Sequence, residues 1–123
     1  MANLAIGYYE TGQPDKALET AQGALEYDGT LAPAHTVLGA VALESRQPEA
    51  ALSHLQQAIA LEDDYSQAYF YLGVAYKALD QPAEAIAAFE QALATTGDEG
   101  MRAQIRQHLK ELYETEEQVG SPQ

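Results

Sequence analysis

Between Ser66 and Gly97 the apolar residues recur at steps of three and four. Tyr69, Leu72, Gly73 and Tyr76 fall on one face of a helix over 66–79. Ala85, Ile86, Phe89, Ala92 and Leu93 fall on one face of a second helix over 82–95. Gln81-Pro82 marks the restart between them, because proline suits a first helical turn, where its missing N–H has no helical partner to lose. The pattern predicts two short helices folded against each other.

The same design occurs twice more upstream at a fixed offset. Gln13-Pro14, Gln47-Pro48 and Gln81-Pro82 are 34 residues apart. Leu4, Leu38 and Leu72 keep the same phase, as do Ala17, Ala51 and Ala85, then Ala24, Ala58 and Ala92, and finally Leu25, Ile59 and Leu93. Helices are predicted over 1–11, 14–27, 32–45 and 48–61, with breaks at Gly12-Gln13, Asp28-Gly29-Thr30 and the acidic turn Glu62-Asp63-Asp64. The small residues imply close helix approach. Ala17, Ala51 and Ala85 sit at the crossing within a unit, and Ala24, Ala58 and Ala92 at the crossing to the next. Gly7, Gly39 and Gly73 read as close-packing positions of the same kind.

A two-helix unit of this period resembles the tetratricopeptide repeat, whose pattern is W-x2-L-G-x2-Y, then A-x3-F, then P. The third unit matches it best, with Tyr69-x2-Leu72-Gly73-x2-Tyr76 and Ala85-x3-Phe89. Tyr69 replaces the tryptophan there, and Gly97 stands where proline is usual. The second unit keeps Leu38-Gly39 and Ala51-x3-Leu55 but has His35 and Ala42 at the aromatic positions. The first keeps Leu4, Tyr8 and Ala17 but has Ala5 for the glycine and Ala21 for the large apolar residue.

The resemblance implies an all-α helical solenoid of three antiparallel helix pairs, over 1–31, 32–65 and 66–97, with the first helix truncated. A C-terminal helix over 98–118 follows, with Met101, Ile105, Leu109, Leu112 and Tyr113 on one apolar face and Asp98 and Glu99 at its positive end. It is expected to cap the open end of the stack. Residues 119–123 are expected to form a disordered tail.

Charge narrows the partners. The 123 residues hold 19 acids and 6 bases, net −13. That balance disfavours nucleic acid and anionic membrane surfaces and favours basic or neutral partners. The absence of cysteine excludes disulfides, thiol catalysis and cysteine metal sites. There is no signal-peptide pattern and no apolar run of membrane-spanning length. The sequence does not fix the compartment: a cytoplasmic location is the first expectation, and a fragment of a longer or exported protein stays open beside it.

Chemistry is hard to place. His35, His54 and His108 fall in three different helices without ligand spacing, so no metal site is expected. The acidic turn lacks the alternating ligands of a calcium loop, and no phosphate-binding or hydrolase motif occurs. No catalytic residue and no cofactor are predicted.

In tetratricopeptide proteins the first helices of the units line a concave surface. Carried over by position, the resemblance implies a groove of Asn3, Ile6, Tyr9 and Glu10 from the first unit and Thr36, Val37, Ala40, Leu43 and Glu44 from the second. The third contributes Gln67, Phe70, Tyr71, Val74 and Lys77, and Gln104, Ile105 and His108 close the end. The surface is apolar and aromatic, with Tyr9, Phe70 and Tyr71 as anchors, and lacks the cationic clamp used for C-terminal carboxylates. The expected function is a non-enzymatic interaction or scaffold module that binds an apolar or aromatic peptide or helix with basic flanks. The alternative is a self-associating structural element that forms homodimers or larger homo-oligomers through its open ends. Arg102, Arg106 and Lys110, spaced i, i+4, i+8, read as a solvated stripe, or one paired with nearby acids, rather than as a contact for an acidic partner.

Overall fold

The computed structural model describes residues 11–28, 32–61 and 65–120, with backbone alone at 14 and 115–120. Over these residues the chain is all helix: α1 Pro14–Tyr27, α2 Ala32–Glu44, α3 Pro48–Leu61, α4 Ser66–Ala78, α5 Pro82–Thr95 and α6 Glu99–Gly120. The helix expected over 1–11, with Leu4, Ala5, Gly7 and Tyr8, lies outside the described residues. So do the acidic turn 62–64 and the last three residues of the expected tail.

Each helix packs on the next in the chain, and α2 also touches α4. Contact between the first helices of successive units places α2 and α4 on the inner side of the stack.

The turns repeat as faithfully as the helices. Gly12, Arg46 and Asp80, 34 residues apart, all have positive φ, at 79°, 59° and 58°. Around Arg46 the Gln47 N–H donates to Ala42 O (2.8 Å) and the Arg46 N–H to Leu43 O (3.1 Å). Around Asp80 the Gln81 N–H donates to Tyr76 O (2.9 Å) and the Asp80 N–H to Lys77 O (3.1 Å). This is the Schellman closure, in which a left-handed residue turns the chain back and satisfies the last carbonyls. The glutamine carbonyl then accepts the first bond of the next helix, from Ala17, Ala51 and Ala85 in turn.

The core is built from small residues. Ala17, Ala51 and Ala85 are fully buried, and so are Ala24, Ala58 and Ala92. Ala58 packs with Ala32 of its own unit and Ala68 of the next. A Cβ on Gly39 would stand 2.6 Å from Leu55 Cγ, and one on Gly73 would stand 2.7 Å from the Phe89 ring. Leu55 and Phe89 are fully buried, so each glycine makes room for the one fully buried bulky residue of its unit's second helix.

The last helix begins with a cap. Asp98 Oδ1 accepts from the Gly100 N–H at 2.9 Å, and Asp98 O accepts from the Arg102 N–H. Ile105, Leu109 and Leu112 close over Ala85, Phe89 and Ala92. Tyr113 departs from the expected apolar face. It is 44% exposed, and its hydroxyl meets Glu90 Oε2 at 3.1 Å. The phenol lies where the packed face meets water, so its polar end is satisfied by an acid of α5. α6 continues to Gly120, past the expected end at 118.

Candidate functional site

Asn3, Ile6, Tyr9 and Glu10 lie outside the described residues. The remaining groove positions separate into three groups.

Thr36, Val37 and Ala40 of α2 are only 2%, 2% and 1% exposed and offer no area to a partner. Val37 packs with Ala17, Ala21 and Ala24 of α1. The Thr36 hydroxyl donates to Ala32 O one turn back, at 2.9 Å. Val37 is thus a contact between helices, and all three are buried where repeat position implied an open surface. Ile105, expected to close its end, is likewise fully buried.

Leu43 is half-buried and Glu44 exposed, at the C-terminal end of α2. Gln104 of α6 is exposed.

The third group is on α4. Gln67, Phe70, Tyr71, Val74 and Lys77 are all half-buried. Gln67 Oε1 accepts from the Tyr65 hydroxyl at 2.9 Å. Phe70 meets Tyr71 edge to face (centroids 5.3 Å apart) and Phe89 likewise at 6.0 Å. His108 of α6 stacks flat on Phe89 at 4.8 Å and stands edge to face with Phe70 at 5.9 Å. Aromatic pairs in these geometries are attractive beyond their buried area. Phe70 is therefore braced by α5 and α6 from behind and the side.

Lys77 ties the same helices together through charge. Its Nζ lies 2.6 Å from Glu111 Oε2 and 3.2 Å from His108 Nδ1. Burial, and then Lys77, push the His108 pKa below its ordinary value, against a smaller opposing pull from Glu111. Hydrogen bonds from Lys77 and Gln107 hold the Glu111 carboxyl below the usual carboxylate range. The neutral imidazole can accept from the lysine while the carboxylate balances it. Of the basic stripe on α6, Arg102 is accounted for by backbone. It donates to Leu93 O at 3.0 Å and to Thr96 O at 3.3 Å, the C-terminal end of α5, where a cation suits the helix dipole.

Two further features stand outside the expected groove. The first is a histidine pair in the second unit. His35 of α2 and His54 of α3 have ring centroids 6.4 Å apart and planes 27° from parallel. Burial, and then His35, lower the His54 pKa. The second is a groove in the third unit, of about 360 Å³, between α4 and α5. Half-buried Tyr69 and Tyr76 and buried Leu72 line it from α4, and buried Ala88 with exposed Glu84, Ala87 and Gln91 line it from α5. The two features occupy equivalent positions: one period separates His35 from Tyr69 and His54 from Ala88. Aligning the units by period would have exposed the exchange.

Among the described residues no three His, Asp or Glu side chains converge as a metal site would need, and no helix is long and apolar enough to cross a membrane.

Antiparallel helix pairs of fixed period, with small residues at the crossings and a terminal helix over the last pair, define a helical-repeat protein. Residues 42–115, more than half of the chain, match the tetratricopeptide repeat model, and the chain belongs to that family. Solved structures agree. MamA is 27% identical, with 96% of this chain and 77% of that one covered, at a TM-score of 0.66. The second such domain of Spaghetti (RPAP3), bound to the HSP90 peptide SRMEEVD, is 26% identical, with 76% and 87% covered and a TM-score of 0.67. SycD, a type III secretion translocator chaperone of Yersinia enterocolitica, is 16% identical, with 94% and 83% covered and a TM-score of 0.81, a likeness of fold alone. No curated protein matches the chain in sequence.

Proposed function

We propose that this chain is a non-catalytic protein-interaction module that docks a partner peptide or helix along the inner face of α2 and α4, ended by α6. The observation that carries this reading is the half-buried strip of Phe70, Tyr71 and Val74. Its ring Phe70 is already held by Phe89 and His108, so a partner would meet a surface whose side-chain entropy is largely spent. Leu43 and Glu44 extend the strip onto α2. Tyr71, Val74 and Leu43 form the contact; Phe70 supports it.

The related RPAP3 domain holds a peptide, which supports peptide docking as the mode. Its peptide is acidic at the C-terminal end, and that chemistry does not carry over. This chain has net charge −13, and Lys77, the cation on the described inner face, is committed to Glu111 and His108. The partner that fits presents an apolar or aromatic residue to Tyr71 and Val74 with Lys or Arg beside it.

Selection of a random displayed peptide library on the intact chain tests this. Enriched peptides should combine an aromatic residue with basic neighbours. Their affinity should fall about tenfold or more in Tyr71→Ala combined with Val74→Ser, at unchanged circular dichroism, as expected for an anchor position. Peptides dominated by acidic residues, or unaffected by the double substitution, would overturn the reading.

A further inference from the structure

We infer that the groove beside α4 and α5 is a second interaction surface, one that takes an arginine side chain from a partner protein. It is distinct from the inner face. Tyr69, Leu72 and Tyr76 follow i, i+3, i+7 on α4, whereas Phe70, Val74 and Lys77 follow i, i+4, i+7. The two sets point to different sides of the helix.

The lining selects the occupant. Two tyrosines and a leucine make an apolar floor that holds a methylene stem or a flat cation. The rim carries one carboxylate, Glu84, and one amide, Gln91, and no base lines the groove. Among the described residues Glu84 makes no ion pair, and the chain around it is strongly acidic. Arginine meets all three demands. Its stem is apolar, its planar guanidinium stacks on a phenol ring, and its fork of donors suits a carboxylate beside an amide. Lysine lacks the plane and is more strongly hydrated, so it fits less well.

The neighbouring unit shows what keeps the groove open. At the position of Ala88 the second unit has His54, whose ring lies against His35. A small side chain at 88 is the condition for the site.

The test is an NMR titration of the intact, isotope-labelled chain with the peptide acetyl-Ala-Arg-Ala-amide, at millimolar concentrations. The same peptide with citrulline or lysine in place of arginine is the control. The arginine peptide should shift amide signals over 69–76 and 84–91, and both controls should bind more weakly. Glu84→Gln, an exposed change that leaves the floor intact, should weaken arginine binding about tenfold. Ala88→His, which copies the second unit, should abolish it. If that variant does not fold, Glu84→Gln decides alone. Equal binding of the citrulline or lysine peptide, shifts centred on Tyr71 and Val74, or affinity unchanged by Glu84→Gln would overturn the proposal. Concentration-dependent shifts at the same residues without peptide would assign the groove to a second copy and overturn it equally.

Discussion

The second and third units are built on one plan and finished differently. Both turn on a left-handed residue, Arg46 or Asp80, and both bury one bulky side chain, Leu55 or Phe89, against a glycine. They part company where a side chain leaves the helix–helix crossing. At matching positions the second unit has the stacked rings of His35 and His54, and the third has a groove over Tyr69 and Tyr76. On the inner side Thr36, Val37 and Ala40 are shut in, while Phe70, Tyr71 and Val74 remain half-open. Positions locked between helices can hold few residues, so they keep phase. Positions one step round the helix are free to diverge, and there the two units differ.

The largest effect should come from the bulky residue of each unit. Phe89→Ala should cost roughly 3–5 kcal/mol and Leu55→Ala roughly 2–5 kcal/mol by denaturant unfolding. Only the former should release α6, because Phe89, unlike Leu55, stacks on His108. Faster hydrogen exchange over 99–112 in Phe89→Ala, and not in Leu55→Ala, would sharpen the contrast; equal exchange would break it.

Next come the facing glycines. Gly39→Ala and Gly73→Ala should each cost roughly 1–3 kcal/mol through overpacking. Unshifted midpoints would mean that Leu55 and Phe89 can yield, and that the glycines do not set helix spacing.

The turn residues should act in the opposite direction. Arg46→Gly should stabilise by about 1 kcal/mol, because an L side chain at positive φ is strained. Asp80→Gly should give less, since aspartate tolerates this conformation better. Thermal midpoints of the two variants would rank them.

Acidification should have the smallest effect. His54 and His108 both titrate below the ordinary histidine value in the folded chain. The unfolded chain therefore takes up more protons below about pH 6.5, and stability present above that pH is lost as pH falls. His54→Ala, which makes the second unit resemble the third, should flatten this slope between about pH 7 and 5. A slope unchanged in that variant would remove the histidine pair from the account.

Most of the framework was legible in the sequence. The Gln-Pro restarts located α1, α3 and α5, because proline can begin a helix but not continue one. The apolar face of α6 was legible at Ile105, Leu109 and Leu112, where period and burial agree. The candidate surface was less so. In α2, Ala-Pro-Ala-His-Thr-Val-Leu-Gly-Ala-Val-Ala-Leu-Glu is apolar around nearly its whole circumference, so period could not say which side stayed open. Repeat position placed Thr36, Val37 and Ala40 in the groove, but all three are buried, Val37 against the alanines of α1. The groove between α4 and α5 was invisible for another reason: Ala88 looks like any core alanine until it is set against His54.

The measurement that tests the central claim most directly is photo-cross-linking of a selected peptide. Benzoylphenylalanine would replace Tyr71 on the inner face in one variant and the exposed Ala94 of α5 in another. Capture from position 71 and none from 94 is the result that peptide docking on the face of α4 predicts. Capture from 94 alone, or equally from both, would contradict it.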